Sequence, residues 1–341
     1  MTLKLLELFS GIGSFGIAMT RLGIDYELVG YSEILETAIP VFNNIHNTST
    51  EMNLGDVSKV ESIDSEVDII TFGSPCQNFS RSGKGGGGER GSGTKSSLMW
   101  EAVRIIKLKK PKYVIWENVP DAINKKNMPN FKNYIDEMSD NGYNTYYKIL
   151  NANELGCPQK RKRLFSVSIR KDIDNEKFEF KINKKEHRKL KDYLEKDVDE
   201  IYNVPDKEVD KLFLGESTDG YMIKNGTKLG YLIAHDYDGI DYGFAGSGTR
   251  RGRVQSEKCQ TLLRSKSLGT VENGVFRYFT PLEHWRLQEL PDELYHTAFH
   301  DLELTQDELY DVVGGAINQL HLKVVFESLM SCFKDDFNTY N

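Results

Sequence analysis

An α/β fold on a mostly parallel sheet is what this 341-residue chain predicts, from three observations. Short apolar runs alternate with stretches of helical spacing through the first half. The first run feeds a glycine turn, "LFSGIGSFG" at 8–16, and the residues with most chemistry to offer each fall just after an apolar run. Strands alternating with helices pair in parallel with right-handed crossovers, and such sheets hold ligands beyond the carboxyl ends of their strands.

Taken in order, Leu3–Phe9 reads as a strand and Ile12–Leu22 as the helix after it, with Phe15, Ala18, Met19 and Leu22 on one face. Glu27–Tyr31 is the second strand and Ile34–Asn44 the second helix. Val67–Phe72 ("VDIITF") and Tyr113–Trp116 ("YVIW") are buried-strand runs, with the amphipathic helix Leu98–Leu108 between them. After about Arg170 the rhythm gives way to a segment dense in charge, where a second domain is expected. A helical pattern returns from Asp307 through Val312, Val313 and Leu320–Leu329. The expected division is a large domain over 1–175, a small one over 176–305, and C-terminal helices over 306–341 that return to the large domain.

Hydrophobic residues make up 39% and charged residues 28%, enough to bury a real core. No run approaches the roughly 18 apolar residues of a membrane helix, and no basic start leads into an apolar leader, so the expected location is the cytoplasm. A net charge of -7 argues against indiscriminate coating of nucleic acid, although a local basic face can still bind phosphate. Cys76, Cys157, Cys259 and Cys332 lie far apart without a C-x-x-C pair, so neither a metal site nor a disulfide framework is expected.

Gly11, Gly13 and Gly16 spell G-x-G-x-x-G, and Glu33, some 20 positions on, can hold a ribose hydroxyl pair. That suits NAD, FAD and S-adenosylmethionine alike, since each carries an adenosine ribose. Asp56 in "LGDVS" is either an acceptor for an adenine amino group or a helix N-cap. Cys76 in "GSPCQNFS" directly follows a strand within a Pro-containing turn, the position of a nucleophile; alone, a cysteine also serves as a small buried hydrophobe. Glu117 in "WENVP" follows the next strand and so shares its sheet edge. In "QKRKR", alternation puts Gln159, Arg161 and Arg163 on one side of an extended chain, where a charge run would otherwise be solvated surface.

In this order, "ELFSGIGSFG", "YSEI", "GDV", "GSPCQNFS", "ENVP" and "PQKRKR", with the later "FRYFTPLEHWRLQELPDEL", resemble the C5-specific DNA cytosine methyltransferases of bacterial or phage type. The resemblance covers nearly the whole chain except roughly 171–248. It implies a Rossmann-like S-adenosylmethionine-dependent methyltransferase domain with a smaller target-recognition domain. It implies that Cys76 adds to C6 of cytosine, that Glu117 contacts the N3 and N4 edge, that Asn118 orients the cysteine loop, that Arg163 holds O2, and that Arg161 sits beside the thiol. Phe9, Gly11, Gly13, Glu33 and Asp56 become cofactor contacts, with Pro75 and Leu98 lining the site and S-adenosyl-L-homocysteine as the product.

The same resemblance makes double-stranded DNA the substrate, with the target base flipped out of the stack. The glycine-rich "SRSGKGGGGERGSGTKS" after Cys76 is expected to close over the site, with Arg81, Ser82, Lys84 and Arg90 toward DNA alongside Gln159. The stretch 249–267 carries six basic residues against one acid, and Arg250, Arg251 and Arg253 are expected to face DNA. Where the family usually reads G-N-A-V-P, this chain has Gly314-Gly315-Ala316-Ile317-Asn318, so one expected cofactor contact is either missing or supplied by Asn318. Cys157 is expected to pack rather than react. Family habit adds a cognate restriction endonuclease as a partner in the bacterial cell or phage-infected host, and action as a monomer.

Overall fold

The computed structural model describes residues 2–79 and 87–339. Its first half alternates β1 (Leu3–Leu8), α1 (Ser14–Arg21), β2 (Tyr26–Ser32), α2 (Ala38–His46), β3 (Ile69–Phe72), α3 (Met99–Lys109), β4 (Tyr113–Asn118) and α4 (Met128–Asp140). Two strands absent from the sequence reading follow, β5 (Tyr143–Asn151) and β6 (Lys162–Arg170). The six strands form one sheet in the order β2-β1-β3-β4-β6-β5. The first four are mutually parallel, while β6 runs antiparallel to both β4 and β5.

Period-two alternation covers both faces of this sheet. Leu3, Leu5, Ile69, Tyr113, Ile115, Phe165 and Val167 pack on one side, against residues of α1 and of the last helix. Leu6, Leu8, Ile70, Phe72, Val114, Trp116 and Leu164 pack on the other with α3 and α4. A parallel sheet buried on both faces needs near-continuous apolar strands, which is what "VDIITF" and "YVIW" supply.

Helix starts depart from expectation for local reasons. Left-handed Gly13 (φ 75°) delays α1 to Ser14. The amides of Ile34 and Leu35 are taken by the Glu33 carboxylate, so α2 begins only at Ala38.

The next portion holds a short helix α5 (Asp206–Val209) and the antiparallel β7 (Phe213–Ser217), β8 (Gly220–Lys224) and β9 (Tyr231–Ala234). A second small sheet follows, made of β10 (Gly239–Asp241), β11 (Val254–Gln255), β12 (Leu268–Glu272) and β13 (Val275–Tyr278) in the order β11-β10-β12-β13. Both sheets share a core that includes Leu212, Ile223, Ile240, Val271 and Phe276.

Helices α6 (Pro281–Leu287), α7 (Asp292–Ala298), α8 (Gln306–Gly315) and α9 (Gln319–Cys332) complete the fold. "TPLE" and "TQDE" start α6 and α8 as capping boxes on Thr280 and Thr305, each closed by the glutamate three residues on. Trp285, Leu290 and Ala298 lie in one cluster with Ile12, Ile17, Ala38 and Val41, so α6 and α7 are packed onto the α1 and α2 side of the large sheet. Helix α9 lies against α1.

Candidate active site

The carboxyl ends of β1, β3 and β4 and the amino end of antiparallel β6 meet at one sheet edge, because Leu8 pairs with Phe72, Phe72 with Trp116, and Glu117 with Phe165. Cys76, Glu117 and Arg163 therefore converge from three separate strands. The Arg163 Nε donates to Glu117 Oε1 at 2.9 Å, with both side chains only about one-eighth to one-sixth exposed (15% and 12%). Gly73 passes so close to the carboxylate that a Cβ there would lie 3.5 Å from Glu117 Oε2.

Cys76 is half-buried and free. Burial, and then the Glu117 charge, push its thiol above the ordinary range, while Arg163 and Arg161 pull the other way. At rest the sulfur is a protonated thiol, and it becomes a nucleophile only as its proton leaves.

Its loop is held from below. Asn118 Nδ2 donates to the Ser74 carbonyl (3.0 Å) and Oγ (3.2 Å), and Trp116 Nε1 donates to the same Oγ at 3.0 Å. Ser74 is a positioning residue that sequence reasoning missed; its only signal was a hydroxyl two residues before the thiol. Beyond Cys76, Asn78 and Ser96 exchange hydrogen bonds, and Gly87 N donates to Asn78 O at 3.2 Å. Asn78 and Gly87, on either side of the residues left undescribed, are thus pinned to each other. Arg81, Ser82 and Lys84 lie outside the described residues. Arg90 pairs with Glu137 at 3.3 Å and lies 4.7 Å over the Trp100 ring.

At the β1 turn the glycines divide their work. A Cβ on Gly11 (φ 54°) would meet nothing within 4 Å, so this backbone is open to a ligand. A Cβ on Gly13 would run into His46 Nε2 at 2.0 Å, so helix packing by itself requires glycine there. Phe9 precedes them, also left-handed at φ 52°. The Glu33 carboxylate accepts the amides of Gly11, Ile34 and Leu35, each at 2.8 Å, which locks the β1 and β2 turns together. Ile34, passed over in sequence, is 69% exposed beside this carboxylate, an apolar surface for a flat ring.

An open backbone, a fixed ribose acceptor and an apolar face fit an adenosine-bearing cofactor. Asp56 adopts the capping role, accepting from Ser58 N (2.9 Å) and Oγ (2.7 Å), bonds that lower its pKa. Pro75 and Leu98 are half-buried.

Three expectations, for Gln159, Asn318 and Arg253, need correction, all for the same reason: the polar group is buried and already engaged. Gln159 has no exposed surface; it donates to Leu287 O at 2.8 Å and accepts from Leu262 N at 3.1 Å, so it does not reach DNA. Arg161 is buried on Ala316 O (3.0 Å) and Leu262 O (3.4 Å), and burial pushes its pKa down to about 9. Its charge lies near Cys76 and Glu117, as expected, and its bonds tie distant segments together.

Asn318 caps α9 through Leu320 N and donates to Leu287 O at 3.0 Å, fully buried, which leaves it no surface for a cofactor. Arg253 is fully buried and binds backbone carbonyls, so it does not face DNA. Cys157 packs in the same hub, its Sγ 3.4 Å from Leu287 O and its pKa raised well above normal by burial. At Gly315, where the asparagine is missing, a Cβ would touch the Arg264 guanidinium at 3.4 Å, and Arg264 is itself held by Asp311.

The architecture is thus a doubly covered, mostly parallel α/β sheet with a thiol, a carboxylate and a guanidinium at the edge that also carries the open glycine turn. The model of the C-5 cytosine-specific DNA methylase family matches residues 3–331, and the chain belongs to that family, the DNA (cytosine-5-)-methyltransferases. It is 34% identical to the orphan methyltransferase M.SPRI of Bacillus phage SPR, over 97% of this chain and 98% of that one. It is 29% identical to the type II methyltransferase M2.ScrFI of Lactococcus lactis subsp. cremoris, over 96% and 99%. In fold it is similar to the Entamoeba histolytica methyltransferase EhMeth (TM-score 0.67, 19% identity, 97% and 98% covered) and to the S. pombe Dnmt2 methyltransferase (0.65, 18%, 96% and 98%). Among the described residues no helix is long and apolar enough to cross a membrane, and no cluster of side chains could hold a metal ion.

Proposed function

We propose that the chain methylates C5 of a flipped-out cytosine within a specific sequence of duplex DNA. The observation that carries this reading is the Arg163–Glu117 pair beside a half-buried Cys76 on one sheet edge. Cytosine C5 is a poor nucleophile until a sulfur adds at C6. Cys76 makes that bond, and its proton passes to the Glu117 carboxylate as the thiolate forms. Glu117, oriented by Arg163, hands that proton on toward N3 as electron density moves into the ring, and Arg163 offers further N–H groups to O2.

S-adenosyl-L-methionine, when bound, supplies the methyl group through its sulfonium, and Glu33, Gly11 and Ile34 are the residues to hold its adenosine part. Loss of the C5 proton to water then lets the Cys76–C6 bond break by elimination, and the N3 proton returns through Glu117 to the departing thiolate, restoring the thiol. The large domain would comprise 1–175 with 306–341, buttressed by α6 and α7. Target recognition would lie in the remainder of 176–305, including the basic 249–267 stretch. The chain would act on DNA as a monomer, in the bacterial or phage setting of its relatives, with a restriction endonuclease as a further partner where the host encodes one.

The test is transfer of labelled methyl groups from S-adenosylmethionine to unmethylated duplex DNA, with bisulfite sequencing of the product and Cys76→Ala alongside. Label at C5 of cytosine in one short word, abolished in Cys76→Ala and retained in Cys157→Ala, is the expected outcome. Transfer to RNA in place of DNA would overturn it.

A further inference from the structure

We infer that Phe244 is an apolar wedge that this chain presses into the base stack of its duplex, an inference that rests on the DNA-methylating reading above. Phe244 is 81% exposed, the most exposed large hydrophobic side chain among the described residues. Its backbone is left-handed at φ 52°, a conformation that is strained for an aromatic residue. Strain of that kind persists only where the surroundings over-determine it.

Here they do. The buried Arg253 guanidinium donates to the carbonyls of Asp241 (3.0 Å), Gly243 (3.1 Å), Phe244 (2.8 Å), Ala245 (3.5 Å) and Ser247 (3.3 Å). The loop is wound around one side chain and displays the ring at its surface. Arg250, fixed by Asp241 at 2.6 Å, lies 5.4 Å over that ring, and exposed Arg251 is anchored on Gly226 O. The base of the loop joins the catalytic edge: Lys160 N donates to Cys259 O, and Lys160 Nζ bonds Gln255.

A rigidly displayed aromatic beside the Arg250 guanidinium, with exposed Arg251 on the same loop, fits a polyanion with stacked bases better than it fits a protein surface. The arginines meet phosphate, and the ring enters a base step and pays part of the cost of unstacking that base flipping demands.

The experiment compares wild type, Phe244→Ala and Phe244→Trp on a short duplex holding the word defined by bisulfite mapping, and on the same duplex with an abasic site at the target cytosine. Phe244→Ala should weaken binding to the paired duplex about tenfold but to the abasic duplex less than about twofold, because there the unstacking is already done. Phe244→Trp should bind like wild type, and the KM for S-adenosylmethionine should not move. Equal losses on both duplexes would make Phe244 a groove contact and overturn the wedge. Unchanged affinity would overturn it too, leaving a protein partner as the reason for exposure. Wild type that fails to methylate DNA at all would instead overturn the functional reading, and the wedge with it.

Discussion

Two arginine pairs in this molecule share a plan and differ in what supports them. At the catalytic edge, Arg161 is buried on the carbonyls of Ala316 and Leu262, while Arg163 two residues on meets the Glu117 carboxylate. In the 241–253 loop, Arg253 is buried on five carbonyls while Arg250 meets the Asp241 carboxylate. In each pair one guanidinium builds and its neighbour presents. The supports differ because Glu117 and Arg163 stand on paired strands whose register fixes them, whereas the loop's shape depends on the Arg253 bonds themselves. Geometry at the catalytic edge should therefore survive loss of one polar partner. The loop should not.

The largest effect tests the first half of that contrast. Glu117→Gln keeps the shape and a partner for Arg163 but removes the acid, so kcat should fall about 10²- to 10⁴-fold. Thermal stability should stay within about 1 kcal/mol of wild type, since the strands carry the geometry. A fall in stability as large as the fall in activity would break the comparison. Arg253→Ala tests the other half. Several carbonyls lose their donor at once, each of them costly to leave unpaired in a buried place, and the loss should be about 3 kcal/mol or more with DNA binding lost in parallel. Urea unfolding together with duplex affinity reads both; unchanged stability would show that the loop holds itself.

How far these pairs were legible in sequence follows from the same difference. The strand-turn-helix units were readable because apolar runs and glycines are local signals, and Cys76 and Glu117 were placed on one edge by counting strands. Strands β5 and β6 were not readable. "YNTYYKILN" is a half-exposed edge strand with polar residues throughout, and β6 begins inside the charge run that reads as solvated surface. Nor could sequence separate Arg161 from Arg163, or Arg253 from Arg250. Burial of an arginine depends on carbonyls from distant segments, such as Leu262 and Ala316 around Arg161, and no local pattern announces them. The fingerprint glycines had the same ambiguity: only their neighbours in space tell Gly11, which is open, from Gly13, which meets His46.

A carboxyl beneath the glycine turn extends the contrast to charge without a partner arginine. Glu7 on β1 is buried under α1, accepting Gly16 N at 2.9 Å, and burial pushes its pKa up to about 8. In the unfolded chain it would ionise near 4.5. Between those values the folded state holds a proton that the unfolded state has lost, so stability falls as pH rises through that window and levels off above it. Glu7→Gln should be more stable than wild type at pH 8, by a few kcal/mol (about 4 if the full shift is expressed), with the difference vanishing toward pH 4.5. Melting curves across that range check it, and parallel curves for the two proteins would mean that Glu7 is already ionised in the fold.

The smallest effect concerns the presenting arginine of the loop. Arg250 is about one-third exposed but its partner Asp241 is buried, so Arg250→Ala should cost about 1–2 kcal/mol of stability, less than Arg253→Ala. Its consequence should be seen in DNA binding: if the guanidinium meets phosphate, the slope of log affinity against log salt should flatten by about one, evenly across DNA sequences. A changed sequence preference with an unchanged slope would mean that Arg250 reads a base edge. Loss of stability on the scale expected for Arg253→Ala would mean that Arg250 is scaffold as well, and the division between building and presenting arginines would hold only where a sheet stands behind them.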